Sequence, residues 1–169
     1  MLGLYENFPE NIHRTESFTS SLSSKKIQQR MIQVLSEINR RTFSFEEIAY
    51  PSVPECTIIF EVGIADAKSF NYIDEEETKR VLNALKKETF RVIDFFCAVR
   101  YYKAKTEKKT PLKFDYYMMR FVFGKDSMEM RVFHERGPRY ISPEDIITFL
   151  MKQINKTSAK KILKPVEPT

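Results

Sequence analysis

The chain has 169 residues, 42% of them apolar and 13% aromatic, which is enough to close one core but not two. Its net charge of +5 is unevenly held, with 11 Lys/Arg against 14 Asp/Glu in residues 1–88 and 17 against 9 in residues 89–169. Apolar runs of about five residues exclude a membrane span, which needs ~20. Two cysteines without a nearby histidine, Cys56 and Cys97, exclude a zinc site and read as buried reduced thiols.

Residues 1–23 read as an N-terminal arm, with Pro9 and a run of Ser and Thr leading into a helix cap. The start at Met1-Leu2-Gly3 lacks the basic and apolar segments of a signal peptide, so a cytoplasmic location is expected. A helix over 24–39 follows from Ile27, Met31, Val34, Leu35 and Ile38 at three- and four-residue spacing. A short strand over 43–49 and another over 57–62 flank a two-proline turn and pair as a hairpin or β-corner. Gly63-Ile64-Ala65-Asp66-Ala67 is superficially similar to the LAGLIDADG signature of homing endonucleases. It follows a strand instead of lying on a helix, and the other motif positions do not match, so it is assigned to a loop.

Asp74 caps the next helix, with Glu77 placed to complete a capping box and Val81, Leu82 and Leu85 on its buried side. Residues 90–102 suit a continued helical stripe or a strand; the β-favouring Phe, Val, Ile and Tyr content decides for strand. Strands over 113–123 and 127–136 are joined by Gly124-Lys125-Asp126, and Met128, Met130 and Val132 alternate with Glu129 and Arg131. A last helix opens with Ser142 as cap and Pro143 at its first position, after which 156–169 reads as a basic, disordered tail. The stretches 72–77 and 140–145, 68 residues apart, echo each other. They are read either as a duplicated ββα unit or as two ordinary capped helix starts, the latter being what helix physics favours anyway.

The expected fold is therefore α+β: a single domain over 24–155 in the order α-β-β-α-β-β-β-α, with an antiparallel sheet of about five strands and helices packed on it. That element order is similar to roadblock-like and longin-like interaction modules, a likeness of order alone with no motif behind it.

Chemistry-bearing residues are sparse. No nucleophile elbow is present, and the four glycines are isolated, so no phosphate-binding glycine loop exists. His134 beside Glu135 reads first as a strand-end histidine making a structural hydrogen bond and second as a general base. The loop 134–140 holds two arginines around Gly-Pro, either as a rigid anion clamp or as ion-pair partners that pin the helix. No metal or cofactor site is expected.

The informative constellation is the mixture of cations and aromatics after residue 99. Single-stranded nucleic acid is bound by cations that track phosphates and by aromatic faces that stack on bases. Arg100, Tyr102, Lys105, Lys108, Lys109, Tyr117, Arg131, Phe133, Arg136 and Arg139 are the candidate nucleic-acid-binding residues, with Tyr117, Phe121, Arg131 and Phe133 on one polar strand face. The competing reading for each aromatic is core. The expected function is a non-catalytic nucleic-acid-binding accessory protein engaging RNA or single strands. The alternative is a protein-interaction or homodimerisation module without nucleic-acid binding. An enzyme ranks third, to be raised by a pocket enclosing His134, Glu135, Arg136 and Arg139.

Overall fold

A computed structural model of the chain describes residues 1–49, 56–103 and 113–166. The chain order is β1 (Arg14–Ser20), α1 (Ser24–Ile38), β2 (Thr42–Ser44), a 3-10 turn (Phe45–Glu47), β3 (Cys56–Asp66), β4 (Ser69–Tyr72), α2 (Glu75–Lys87), β5 (Val92–Lys103), β6 (Lys113–Gly124), β7 (Ser127–Arg136), α3 (Pro143–Asn155) and β8 (Leu163–Pro165). Among the described residues the protein is α+β, with one antiparallel sheet of eight strands and three α-helices. The sheet runs β2-β3-β5-β6-β7-β1-β8, with β4 paired to β3 off that path.

The eight strands correct the expectation of about five. Three short strands account for the difference. β1 lies in the stretch read as an arm, where Ser and Thr content masked an edge-proximal strand that pairs with β7 from Arg14↔Val132 to Thr19↔Ser127. β8 lies in the stretch read as a disordered tail and pairs with β1 through Ser20↔Leu163. It is held there by Ile162 and Leu163, both buried, and by Asn155, whose Oδ1 accepts from the Ile162 and Leu163 N–H groups at 3.0 and 2.9 Å. The expected loop at 63–67 is instead the end of β3 and the turn into β4, with Ala67 at φ 56. Apolar side chains on both sides of Gly63 are buried, so pairing extends four residues past the pattern that suggested a stop.

Local signals fix the helix starts. The Ser23 side chain accepts from the Lys26 N–H, Asp74 from Glu77 and Ser142 from Asp145. The Glu77 carboxylate bonds the Arg80 guanidinium, so only half of the expected capping box is used. The end of α2 has a tertiary cause. No Gly or Pro separates it from β5; instead the buried Gln28 of α1 takes the Phe90 N–H on its Oε1 (3.1 Å) and donates to the Phe90 carbonyl (2.6 Å). That substitutes side-chain for helical hydrogen bonds at a point where the backbone must turn extended.

One core lies between the sheet and the helices. Along β5, β6 and β7 the buried members include Ile93, Phe95, Tyr101, Tyr117, Met119, Phe121, Met128, Met130 and Val132. From the helices come Ile27, Met31, Leu35, Val81, Leu85, Ile146 and Leu150. Phe43, Phe60 and Phe149 close one end, with Phe149 at 5.2 and 5.3 Å from the other two rings. The two echoing segments open unlike units: the four-residue β4 precedes α2 off the main path, whereas the ten-residue β7 precedes α3 within it.

Candidate ligand-binding face

All three helices pack on one side of the sheet, and alternation along each strand sends every second side chain to the other. The register places Ile59 opposite Arg100, Ala98 opposite Tyr116, Phe96 opposite Met118, and Met118 opposite Phe133 on this helix-free side. Most of these side chains are half-buried, and Phe114 is 36% exposed. Five rings form a continuous row across it. Tyr5 lies 4.6 Å from Phe70, Phe70 lies 5.5 Å from Phe96, Phe96 lies 5.5 Å from Tyr116, and Tyr116 lies 6.2 Å from Phe114 in near-parallel orientation. The small Ala98 opposite Tyr116 leaves room for that ring to lean toward Phe96. The Arg100 guanidinium sits 5.7 Å from the Phe114 ring centroid and ends the row.

Three arginines lie on this face, each beside a carboxylate. Arg100 bonds Glu61 at 3.0 Å, Arg131 bonds Glu129 at 2.7 Å, and Arg120 grips the fully buried Asp94 with two bonds of 2.7 and 2.9 Å. The centre of the face is therefore close to neutral. Positive charge collects at one end, where Lys103, Lys113, Arg136 and Arg139 are exposed alongside Glu135. Arg100 Nε is buried without a hydrogen-bond partner, so that guanidinium is incompletely satisfied.

Behind that end, a buried carboxylate organises the 137–140 loop. Asp115 accepts from the Tyr101 hydroxyl (2.5 Å), His134 Nε2 (2.8 Å), and the backbone N–H groups of Arg139 (2.7 Å) and Tyr140 (3.0 Å). Gly137 closes over it at φ +115, where a Cβ would collide with the Phe114 carbonyl and with Asp115 itself. The Tyr117 hydroxyl donates to the Ile141 carbonyl. Burial pushes the hydroxyls of Tyr101 and Tyr117 up, so both stay neutral donors. His134 thus makes a hydrogen bond of the kind the first reading expected, and Asp115 pins the loop.

The placement of the candidate residues is mixed. Arg100, Tyr102, Arg131 and Phe133 lie on the helix-free face, with Arg136 exposed at its charged end opposite Tyr116. Arg139 is exposed in the following loop at φ 62. Lys105, Lys108 and Lys109 lie outside the described residues, in the connection between β5 and β6. Tyr117 is a correction: it is fully buried on the helix side, as is Phe121. Residues 114–123 are apolar at nearly every position, so alternation was faint, and the polar face is marked only by Arg120. The opposite phase puts Phe114, Tyr116 and Met118 on the open face, beside Phe96 and Ile59. Arg120, the lone arginine in that strand, was the signal that could have found them.

Among the described residues no group of three His, Cys, Asp or Glu side chains could hold a metal ion, and no helix is long and apolar enough to cross a membrane. The chain matches no family model, no curated protein and no solved structure.

Proposed function

We propose that the helix-free face binds RNA or another single-stranded nucleic acid, with bases stacking on Phe114 and Tyr116 and phosphates meeting the basic end of the sheet. The observation that carries this reading is the row of half-exposed rings running into a cluster of cations. Base–aromatic stacking is tolerant of sequence because every base has a π-face, and phosphate contacts need only charge and reach. Arg100 fits between the two functions, since its half-exposed guanidinium lies over the Phe114 ring at the basic end of the row. The connection between Lys103 and Lys113 adds Lys105, Lys108 and Lys109 to the same end of the chain's basic half. Catalysis plays no part in this reading, in which the His134–Asp115 pair serves to hold the loop.

The test is fluorescence anisotropy with a labelled single-stranded RNA of about 12 nucleotides, within the site sizes of such proteins. Phe114→Ala with Tyr116→Ala is expected to weaken binding by about tenfold or more, at ~1–3 kcal/mol per stacked base. Charge reversal at Lys105, Lys108, Lys109 and Arg136 should abolish most of the rest. Affinity that survives both sets of changes would remove this face from consideration.

One observation favours the second reading, a protein-interaction or homodimerisation module. The three arginines on the face are already held by Glu61, Asp94 and Glu129, which suits an apolar partner surface better than a phosphate chain. The edge strands β2, β4 and β8 are three or four residues long and β8 contains Pro165, so such a partner would meet the face and not an edge. Analytical ultracentrifugation with and without the RNA separates the two: a dimer indifferent to RNA supports the second, an RNA-dependent shift the first.

A further inference from the structure

Residues 1–5 bond to the backbones of β3 and β5, residues 6–13 then cross the helix-free face before entering β1, and the anchoring of the whole segment is uneven. The first half is tied down by backbone bonds. The Gly3 N–H donates to Ala65 (2.7 Å), Gly3 accepts from Asp94 (2.6 Å), the Tyr5 N–H reaches Asp94 Oδ2 (2.8 Å), and the Glu6 N–H reaches Ala67 (2.9 Å). The far end is tied at His13, whose N–H donates to the Val132 carbonyl (3.1 Å) and whose Nδ1 accepts from the His134 N–H (2.9 Å). Between these ties, residues 9–12 make no hydrogen bond or ion pair with the described residues. What holds the crossing is a pair of ring contacts: Phe8 lies 4.3 Å over the Arg120 guanidinium, and His13 stacks on Phe133 at 4.7 Å with planes 7° apart.

Those two sheet groups extend the proposed site. Tyr116, Met118 and Arg120 follow one another along the same side of β6, and Phe133 stands opposite Met118. Arg120 and Phe133 therefore continue the surface that begins at Phe114, and a flat ring already rests on each. A nucleobase stacks on a guanidinium plane or a phenyl ring by the same chemistry that seats Phe8 and His13 there.

We propose that residues 7–13 are an internal occupant of the ligand face, a strap fixed at both ends, and that a longer single strand lifts it to stack on Arg120 and Phe133. The inference rests on the nucleic-acid reading and adds a size rule to it. Short strands use Phe114 and Tyr116 alone, whereas longer ones compete with Phe8 and His13. Asp94 remains paired to Arg120 in both states, so lifting the strap uncovers no unpaired buried charge.

The experiment compares the parent with Phe8→Ala/His13→Ala, titrating labelled strands of about 4 and about 12 nucleotides, the span of site sizes for single-strand binders. The variant is expected to bind the longer strand about fivefold to tenfold tighter and the shorter one unchanged. Native-state hydrogen exchange on the parent supplies a second reading that does not depend on the variant folding. The His134 N–H, which donates to His13, should exchange faster when the longer strand is bound. If the parent binds the longer strand yet its His134 N–H stays protected and the variant gains nothing, the strap is merely a cover and the stacking site stands without it. If no protein binds either strand, the nucleic-acid reading and the strap fall together.

Discussion

Asp115 is the residue on which the charged end of the molecule depends. A fully buried carboxylate is tolerated because four donors meet it, two from side chains and two from the backbone of the loop it holds. An amide in its place offers one acceptor oxygen and turns two N–H donors toward groups that are themselves donors. Asp115→Asn is therefore expected to lower unfolding stability by about 3 kcal/mol in urea titrations. It should also release Arg139 and Tyr140 from their fixed positions; a variant as stable as the parent would mean the donors find other partners. Cys97 illustrates the same economy for a group without partners. Burial pushes its thiol up to about 12 and also raises that of Cys56, which disfavours the thiolate at both positions.

At the scale of elements, the sheet is completed by pieces that carry little intrinsic tendency to be strands. β8 contains three residues, one of them a proline, and would not pair by itself. Asn155, at the end of α3, holds it through three bonds, accepting from the Ile162 and Leu163 N–H groups and donating to the Leu163 carbonyl at 3.1 Å. Asn155→Ala should cost about 2 kcal/mol and detach β8 from β1 while leaving the central strands in place. Hydrogen exchange reports this directly, because the Val166 N–H, which donates to Ser17, should lose its protection while the amides of β6 keep theirs. A similar side-chain clamp works at the C-terminal end of α1. Asn39 accepts from the Val62 N–H at 2.8 Å and donates to the carbonyls of Val62 and Ile73, seating the C-terminus of the helix against β3.

For the whole molecule, the decisive feature is that the helices cover one side of the sheet and leave the other to a strap and a row of rings. An antiparallel sheet tolerates this when its second face carries side chains with an apolar body and a polar end, as Arg and Tyr do. The exposed cations Lys103, Lys113 and Arg136, with Arg139 in the following loop, sit at the end where β5 and β6 are joined, while the other exposed cations of the second half among the described residues lie elsewhere. Binding of single strands there should weaken by about an order of magnitude between low and moderate salt, with the loss shrinking as Lys105, Lys108 and Lys109 are neutralised. Salt-independent binding would point to stacking or apolar contact alone.

Fold class, the three helices and their caps, and the last hairpin were legible in the chain, because caps, turns and 3.6-residue periodicity are local and act within a few residues. The split of charge was legible for the same reason, as a property of composition. The short strands were not: β1, β4 and β8 exist because β7, β3 and the Asn155 clamp offer them partners distant in sequence. The phase of β6 was equally closed to local reading, since both of its faces are rich in apolar residues and only the position of the helices decides which one is core. Tyr117 went to that core, and Phe114 and Tyr116 to the open face. The sequence by itself thus determined the helices, the longer strands and where charge resides along the chain, whereas tertiary packing decided which short strands form and which aromatics face water, because pairing and burial depend on what lies across the sheet.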